Sequence, residues 1–225
     1  GGISNCNRVI YQLDNLDFEV TGKESVIAEL EVARAYWYYI LCEAFGNVPI
    51  VDRFDVPEGF LPETSSREEV FAFIENSIKN NVDKLSDDTK TYYGRFNKWN
   101  AKMLLARLYL NAESWIGKNM YTECMALCTE IMNSNKYALE NDYSAPFYAQ
   151  NEGSQEIIFA YPADEVKTGS TIYMALQKTL HPSNVKTFNL QTWLDNGVCA
   201  VPTFIDTSEE GDQRLPKPWR MGQQY

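Results

Sequence analysis

The 225-residue sequence has one histidine, His181, and contains no glycine-rich phosphate loop, no His-Glu-x-x-His and no Gly-x-Ser-x-Gly. Each gap removes a common catalytic apparatus: phosphate cradling, zinc hydrolysis and the serine nucleophile. Basic residues are also in short supply. Against 31 Asp and Glu stand 20 Lys and Arg, a net charge of -11. That balance excludes nucleic acid as a partner, because phosphate neutralisation needs clustered cations, and it opposes direct docking on anionic lipid. No apolar run approaches the roughly 20 residues needed to span a bilayer, and the start GGISNCNRV is neither a signal peptide nor a lipobox. A membrane link is therefore expected only through a lipid anchor absent from this chain.

Cysteine is sparse and odd in number. Cys6, Cys42, Cys124, Cys128 and Cys199 lack the density of a disulfide scaffold. Cys124 and Cys128 stand four apart on a helical stretch, a spacing that can orient two metal ligands, but one histidine does not complete a zinc set. They read as small hydrophobes at a helix interface. The acidic stretch from Asp52 to Glu63 offers Asp52, Asp55, Glu58 and Glu63 in a spacing that fits no EF-hand, so solvated surface is the expectation. A carboxylate pair for glycoside hydrolysis needs a separation of about 5–10 Å that sequence spacing does not encode. The lone His181 precedes Pro182 in a loop and is expected to face solvent. The chain is expected to be no enzyme and to carry neither cofactor nor metal.

What is abundant is apolar and aromatic content, 44% and 13%, enough for a sizeable core. The most strongly specified stretch runs from Glu31 to Ile50. Apolar residues at Val26, Ile27, Leu30, Ala33, Trp37, Ile40, Leu41, Ala44 and Phe45 recur every three or four positions, which predicts a helix. Tyr36, Tyr38 and Tyr39 widen the stripe almost all round, which predicts packing between neighbouring helices. Gly46 supplies the left-handed stop and Pro49 prevents continuation, so residues 47–51 leave as an extended segment. Trp37, Tyr36, Tyr39 and Tyr109 are expected to pack, not to bind.

An irregular crossing over 52–62 ends in a clear helix start, where Ser65 with Glu68, or Ser66 with Glu69, forms a capping box. Val70, Phe73, Ile74, Ile78, Val82 and Leu85 then mark an amphipathic helix that stops at 86–88. A turn over 91–97 leads into a helix bearing Ala101, Leu104, Leu105, Leu108, Tyr109 and Ala112, and another follows from about Tyr121 to Asn133. This pair loosely follows the rhythm of a tetratricopeptide (TPR) repeat, with a longer loop, and the preceding pair would be its neighbour in a solenoid. From Lys136 the period is lost. Ser154 to Tyr161 reads as a β-type run, and the remainder as loops with short helices near 170–180 and 203–206. The expected fold is mostly α: a TPR-like helical solenoid over 1–150, with few short strands, and a loop-rich segment over 151–225 packed on it in one domain.

Glu31-x-x-Arg34-Ala35, the aromatic run and Phe45-Gly46-Asn47-Val48-Pro49 resemble the signature helix of the SusD/RagB family of outer-membrane nutrient-binding lipoproteins. Further landmarks follow in order: Gly94-Arg95 ahead of Ala101-x-x-Leu104-Leu105-Ala106-Arg107-Leu108-Tyr109-Leu110, the 154–159 run, Asn196-Gly197, and Asp212-x-Arg214 before Gly222-Gln223-Gln224-Tyr225. The N-terminal anchor region of that family is missing and the chain stops where its members continue, so a piece incomplete at both ends is expected. The resemblance implies a SusD-like fold and non-catalytic capture of a glycan at the cell surface. It also implies an outer-membrane lipoprotein that delivers an oligosaccharide to a TonB-dependent, SusC-like transporter.

Aromatic rings suit sugars, whose apolar CH faces stack on a ring while hydroxyls meet polar side chains at its edge. The aromatics that lie in turns are the candidates: Tyr92, Tyr93, Trp115, Trp193 and Trp219. Trp115 reads equally well as a plug between helices. Tyr92 and Tyr93 flank Gly94, so at least one is expected to be exposed. Trp193 with Asp195 and Asn196 places a ring beside two short polar side chains, and Trp219 stands next to Arg220. Most of these rings have a plainer reading as core. The rival function is a TPR-like adaptor for a peptide or protein, which would need a groove lined from Tyr92 to Asn133.

Overall fold

The computed structural model describes residues 1–148, 150–162, 178–207, 209 and 211–212. Helices α1 (Gly2–Asp14), α2 (Lys23–Phe45), α3 (Arg67–Asn81, continued by a 3-10 turn Val82–Lys84), α4 (Lys98–Ile116) and α5 (Tyr121–Asn133) follow in order. Each packs on its chain neighbour, α1 on α2, α2 on α3, α3 on α4 and α4 on α5, as a helical solenoid requires. A short antiparallel ladder pairs β1 (Val48–Pro49) with β2 (Thr64–Ser65), with Val48 opposite Ser65 and Pro49 opposite Thr64. These elements lie in a compact unit formed by residues 1–140 and 150–160. A second unit takes in the described residues of 141–149 and 161–225, with a 3-10 turn Ala145–Phe147 and short helices Asn184–Thr187 and Pro202–Asp206. The helix expected near 170–180 falls largely outside the described residues.

The helix starts are set by side chains. Of the two capping boxes offered, Ser66 with Glu69 forms: the Glu69 N–H donates to Ser66 Oγ at 3.2 Å and the Ser66 N–H donates to Glu69 Oε2 at 2.7 Å. The same reciprocal cap starts α4 with asparagines at both positions. Asn97 Oδ1 accepts from the N–H groups of Trp99 and Asn100, while the Asn97 N–H donates to Asn100 Oδ1. A Ser/Thr-with-Glu/Gln template does not find that one.

The buried face of α2 is not the apolar stripe read from the sequence. Ala28, Val32, Ala35, Tyr38, Tyr39 and Cys42 are buried, whereas Val26, Trp37 and Phe45 are exposed, Phe45 by 72%. With α1 on one flank and α3 on another, α2 buries two faces, so small residues at the close approaches matter more than the largest side chains. Trp37 is 37% exposed and lies over the start of α1, where a Cβ on Gly2 would collide with its indole. Gly46 ends α2 at φ 74°, as expected, but with ψ -88°, outside the left-handed helical well. The Arg67 guanidinium also lies where a Gly46 Cβ would sit. The neighbouring Asn47 Oδ1 accepts from the Arg67 N–H at 2.8 Å, which docks the start of α3 on the end of α2.

The β-type run over 154–161 is not a strand. Its Gln155 carbonyl accepts from the Ala138 N–H at 3.1 Å, but no ladder continues from that bond among the described residues. Ile157, Ile158 and Phe159 instead turn their side chains partly into the helical unit, so apolar burial rather than strand pairing accounts for the run.

At the centre lies Arg34, only 4% exposed. Its guanidinium donates to Asn7 Oδ1 at 2.8 Å, to the Asp52 carbonyl at 2.7 Å and to the Glu31 carboxylate, and it faces the Phe73 ring. Asn7 Nδ2 donates to the carbonyls of Val51 and Arg53, and the Tyr38 hydroxyl both accepts from the Val51 N–H and donates to the Val51 carbonyl. A second polar clasp joins the chain after α3 to the chain after α5. Lys136 Nζ pairs with Asp87 Oδ2 at 2.9 Å, and Trp99 Nε1 donates to Asp87 Oδ1 at 2.7 Å. The Lys136 hydrogen bond, with that from Trp99, holds the Asp87 carboxyl below its ordinary value of 3.8.

Two outcomes follow from these contacts. Glu31→Ala leaves a buried cation without its counter-charge and is expected to cost about 3 kcal/mol or more in urea unfolding; a loss below about 1 kcal/mol would deny the network that weight. Because the folded Asp87 value is depressed, its contribution is present above pH 3.8 and is lost as pH falls through the lower folded value. The unfolding curves of the wild type and Asp87→Asn should therefore differ at neutral pH and converge in strong acid, whereas a gap that persisted in acid would contradict the clasp.

Candidate functional site

Two places bear the residues singled out in the sequence, one in each unit. In the helical unit, Tyr92 and Tyr93 lie on a turn that reverses at Gly94, φ 74°, closed by the Arg95 N–H on the Tyr92 carbonyl at 3.0 Å. Both rings are half-buried and neither stands free. Arg95 stacks over Tyr92 with its guanidinium carbon 4.6 Å from the ring centre, and it grips Glu29 of α2 through two bonds of 2.9 and 2.5 Å. That fork anchors the turn to the first helices of the unit.

Opposite the turn, residues 152–160 are held by one carboxylate. Glu140 Oε1 accepts from Ser154 Oγ at 2.8 Å and from the Gln155 N–H at 2.9 Å, and the Glu140 N–H donates to Glu156 Oε2 at 3.1 Å. The far end of this segment is fixed by rings: Phe159 stacks on Phe96 at 4.8 Å, and Tyr36 of α2 meets both at 5.6 and 5.7 Å. Between these walls lies a cavity of about 370 Å³ lined by Tyr92, Tyr93, Tyr137, Gly153 and Phe159 among others. Burial pushes the Tyr137 hydroxyl up to about 12, and the adjacent Asn97 amide acts in the opposite direction. The cavity shares Lys90, Lys136, Gly153 and Gln155 with a wider, more open trough of about 810 Å³ edged by Asp87, Asp88 and Asn135.

In the second unit, the chain around Lys178–Leu180 runs beside 196–198. The Asn196 N–H donates to the Leu180 carbonyl at 3.1 Å and the Val198 N–H to the Lys178 carbonyl at 2.8 Å. That pairing brings Lys178 to Asp195 Oδ2 at 2.5 Å and sets its ammonium 5.6 Å from the centre of the Trp193 ring. The Lys178 hydrogen bond, with the Gly197 N–H, holds the Asp195 carboxyl below its ordinary value. Asn196 occupies φ 52°, a conformation asparagine tolerates better than most residues. Leu194 is buried and points its neighbours outward, so Trp193 is 57% exposed. The Trp193 ring, the Lys178 ammonium and the Asp195 carboxylate thus share one surface patch, with Asn196 exposed next in the chain. Lys178 carries no local signal in the sequence, since the backbone pairing that delivers it joins residues 16 to 20 positions apart.

Several expectations change here. His181 is half-buried rather than solvent-facing: its Nδ1 accepts from the Ser183 N–H at 3.2 Å and lies 2.8 Å from Ser183 Oγ. Trp115 packs against Tyr39 at 5.4 Å under Arg67, the plug reading of that ring. Cys124 is buried and its neighbour Cys128 half-buried, with all five cysteines free. Trp219 and Arg220 lie outside the described residues.

Known proteins share the fold that carries these residues. Residues 1–110 match the SusD-like family described as "Starch-binding associating with outer membrane". The starch-binding protein SusD of Bacteroides thetaiotaomicron is 30% identical over 156 residues, which is 65% of this chain and 27% of that protein. A SusD superfamily protein from Parabacteroides distasonis shares the fold at a TM-score of 0.77 and 23% identity, covering 95% of this chain and 45% of the other. The surface glycan-binding protein A of Bacteroides thetaiotaomicron, solved with laminarihexaose, superimposes at a TM-score of 0.57 and 24% identity over 70% of this chain and 32% of its own. The chain spans about a quarter of the length of the curated relatives it matches. The helical order and the signature helix agree along the same residues, so residues 1–110 carry the pattern of the SusD-like family and the chain shares the fold of that family's solved members.

Proposed function

We propose that the protein is a non-catalytic glycan-binding component of the outer surface, which captures an oligosaccharide and passes it to a TonB-dependent, SusC-like transporter. The observation that carries the glycan part is the exposed Trp193 ring with the Lys178 ammonium over it, Asp195 paired to that ammonium, and Asn196 exposed next in the chain. An indole offers an apolar face to the CH side of a sugar, and the surrounding carboxylate, amide and ammonium offer both donors and acceptors to its hydroxyls. The relatives add weight, one being named for starch binding and one solved with laminarihexaose. Lipid anchorage and the transporter partner rest on the likeness to that family. A second function, recognition of a peptide or protein, draws on the apolar side chains that α5 leaves exposed at Tyr121, Met125 and Met132.

Affinity electrophoresis against α-1,4- and β-1,3-glucans tests the assignment. Trp193→Ala is expected to weaken retardation by roughly tenfold or more, as loss of a central aromatic contact does, with Asp195→Ala intermediate. Equal retardation of wild type and Trp193→Ala would remove the ring from the site. Absence of retardation by any polysaccharide, together with peptide binding lost on Met125→Glu, would favour the adaptor.

A further inference from the structure

The cavity of the helical unit has a shape and a lining that the Trp193 patch does not. Its inner chamber, about 370 Å³, is the more enclosed part and sits at the low end of the roughly 300–1,000 Å³ usual for small-molecule sites. It continues through the neck at Lys90, Gly153 and Gln155 into the wider trough. A narrower, more sheltered end on an open run suits the tip of a chain, not its middle.

The walls are fixed before any ligand arrives. One side is tied to α2 by the Arg95–Glu29 fork, and the other is held by Glu140 at one end and by the Phe159–Phe96 stack at the other. Pre-set walls lower the ordering cost of binding. The chamber itself is lined by Tyr93, Tyr137 and Phe159 with aliphatic Ile157 and Ile158. At its mouth the Lys90 ammonium, the Glu152 carboxylate and the Gln155 carboxamide have no partner among the described residues. The remaining charge at the neck, Lys136, is already answered by Asp87. Opposite charges and an amide around an aromatic chamber give no net preference for an anion or a cation. They match a neutral ring with many hydroxyls, whose flat faces meet the aromatics and whose rim needs both donors and acceptors.

We infer that this chamber and trough form a second carbohydrate site that holds the end of a short oligosaccharide, the terminal ring inside and the following rings along the trough. The choice of carbohydrate among neutral polyols rests on the function proposed above; the end-on geometry rests on the cavity alone. Its lining shares no residue with the Trp193 patch, so the two can be altered independently.

The test uses Gly153, where an added Cβ meets nothing within 4 Å and the backbone is not in a positive-φ conformation, so a side chain there narrows the neck without straining the fold. Titration calorimetry with maltotriose and laminaritriose is run on the full chain, on Gly153→Phe, on Tyr93→Ala and on Trp193→Ala. The expected result is a tenfold or greater loss of trisaccharide affinity in Gly153→Phe and Tyr93→Ala, at unchanged unfolding midpoint for Gly153→Phe, while glucan retardation in electrophoresis still depends on Trp193. Trisaccharide affinity unchanged by Gly153→Phe but abolished by Trp193→Ala would overturn the chamber and leave glycan capture standing. Failure of the wild type to bind either trisaccharide, with polysaccharide retardation intact, would likewise overturn the chamber, because a chain-end site must accept a short chain. Loss of both short-chain and polysaccharide binding in the wild type would sink both.

Discussion

A guanidinium withdrawn from water must be answered by the protein, and the way Arg34 is answered organises the helical unit. Its partners come from α1 through Asn7, from α2 itself through Glu31 and from the crossing after β1 through the Asp52 carbonyl. Asn7 and Tyr38 extend the same network to the backbone of Val51 and Arg53. Three stretches far apart in the chain are thereby fixed to one charge, and none can leave without exposing an unpaired group. The Glu31-x-x-Arg34 spacing places both ends of the ion pair on one face of a helix, one turn apart.

The rest of the signature block serves the same mechanical end. Asn47 docks the start of α3, Gly46 leaves room for Arg67, and Tyr36 meets the Phe96–Phe159 stack. Through that stack α2 reaches the wall of the cavity without lining it. The block therefore carries the family resemblance and supports the candidate sites, while the residues proposed to meet a ligand stand in turns and irregular segments. A rigid helical frame with variable connecting segments lets binding residues change without disturbing the core.

Much of the frame was legible because its determinants are local. The Ser66–Glu69 box, the end of α2 at Gly46 and the 121–133 helix all follow from residues within a few positions of one another. The misreadings have a common cause. The buried face of α2 depends on which helices flank it, and no stripe in its own sequence says that Ala28 and Ala35 meet neighbours while Val26 does not. Likewise the 154–159 run has strand composition, but a strand exists only where a partner pairs with it, and Ala138 offers one bond.

The amino-acid order by itself determined the existence of helices α2 to α5, the stop of α2 at Gly46 and the family resemblance, since these rest on short-range spacing, caps and a long contiguous motif. Tertiary structure decided what the candidate sites are. Lys178 joins Trp193 and Asp195 only because the backbone pairs 178–180 with 196–198, and the cavity exists only because Glu29, Glu140 and Phe96 pull its walls into place. Those contacts span up to 66 residues, and their partners are chosen by packing and by the need to satisfy buried polar groups, neither of which leaves a periodic trace in sequence.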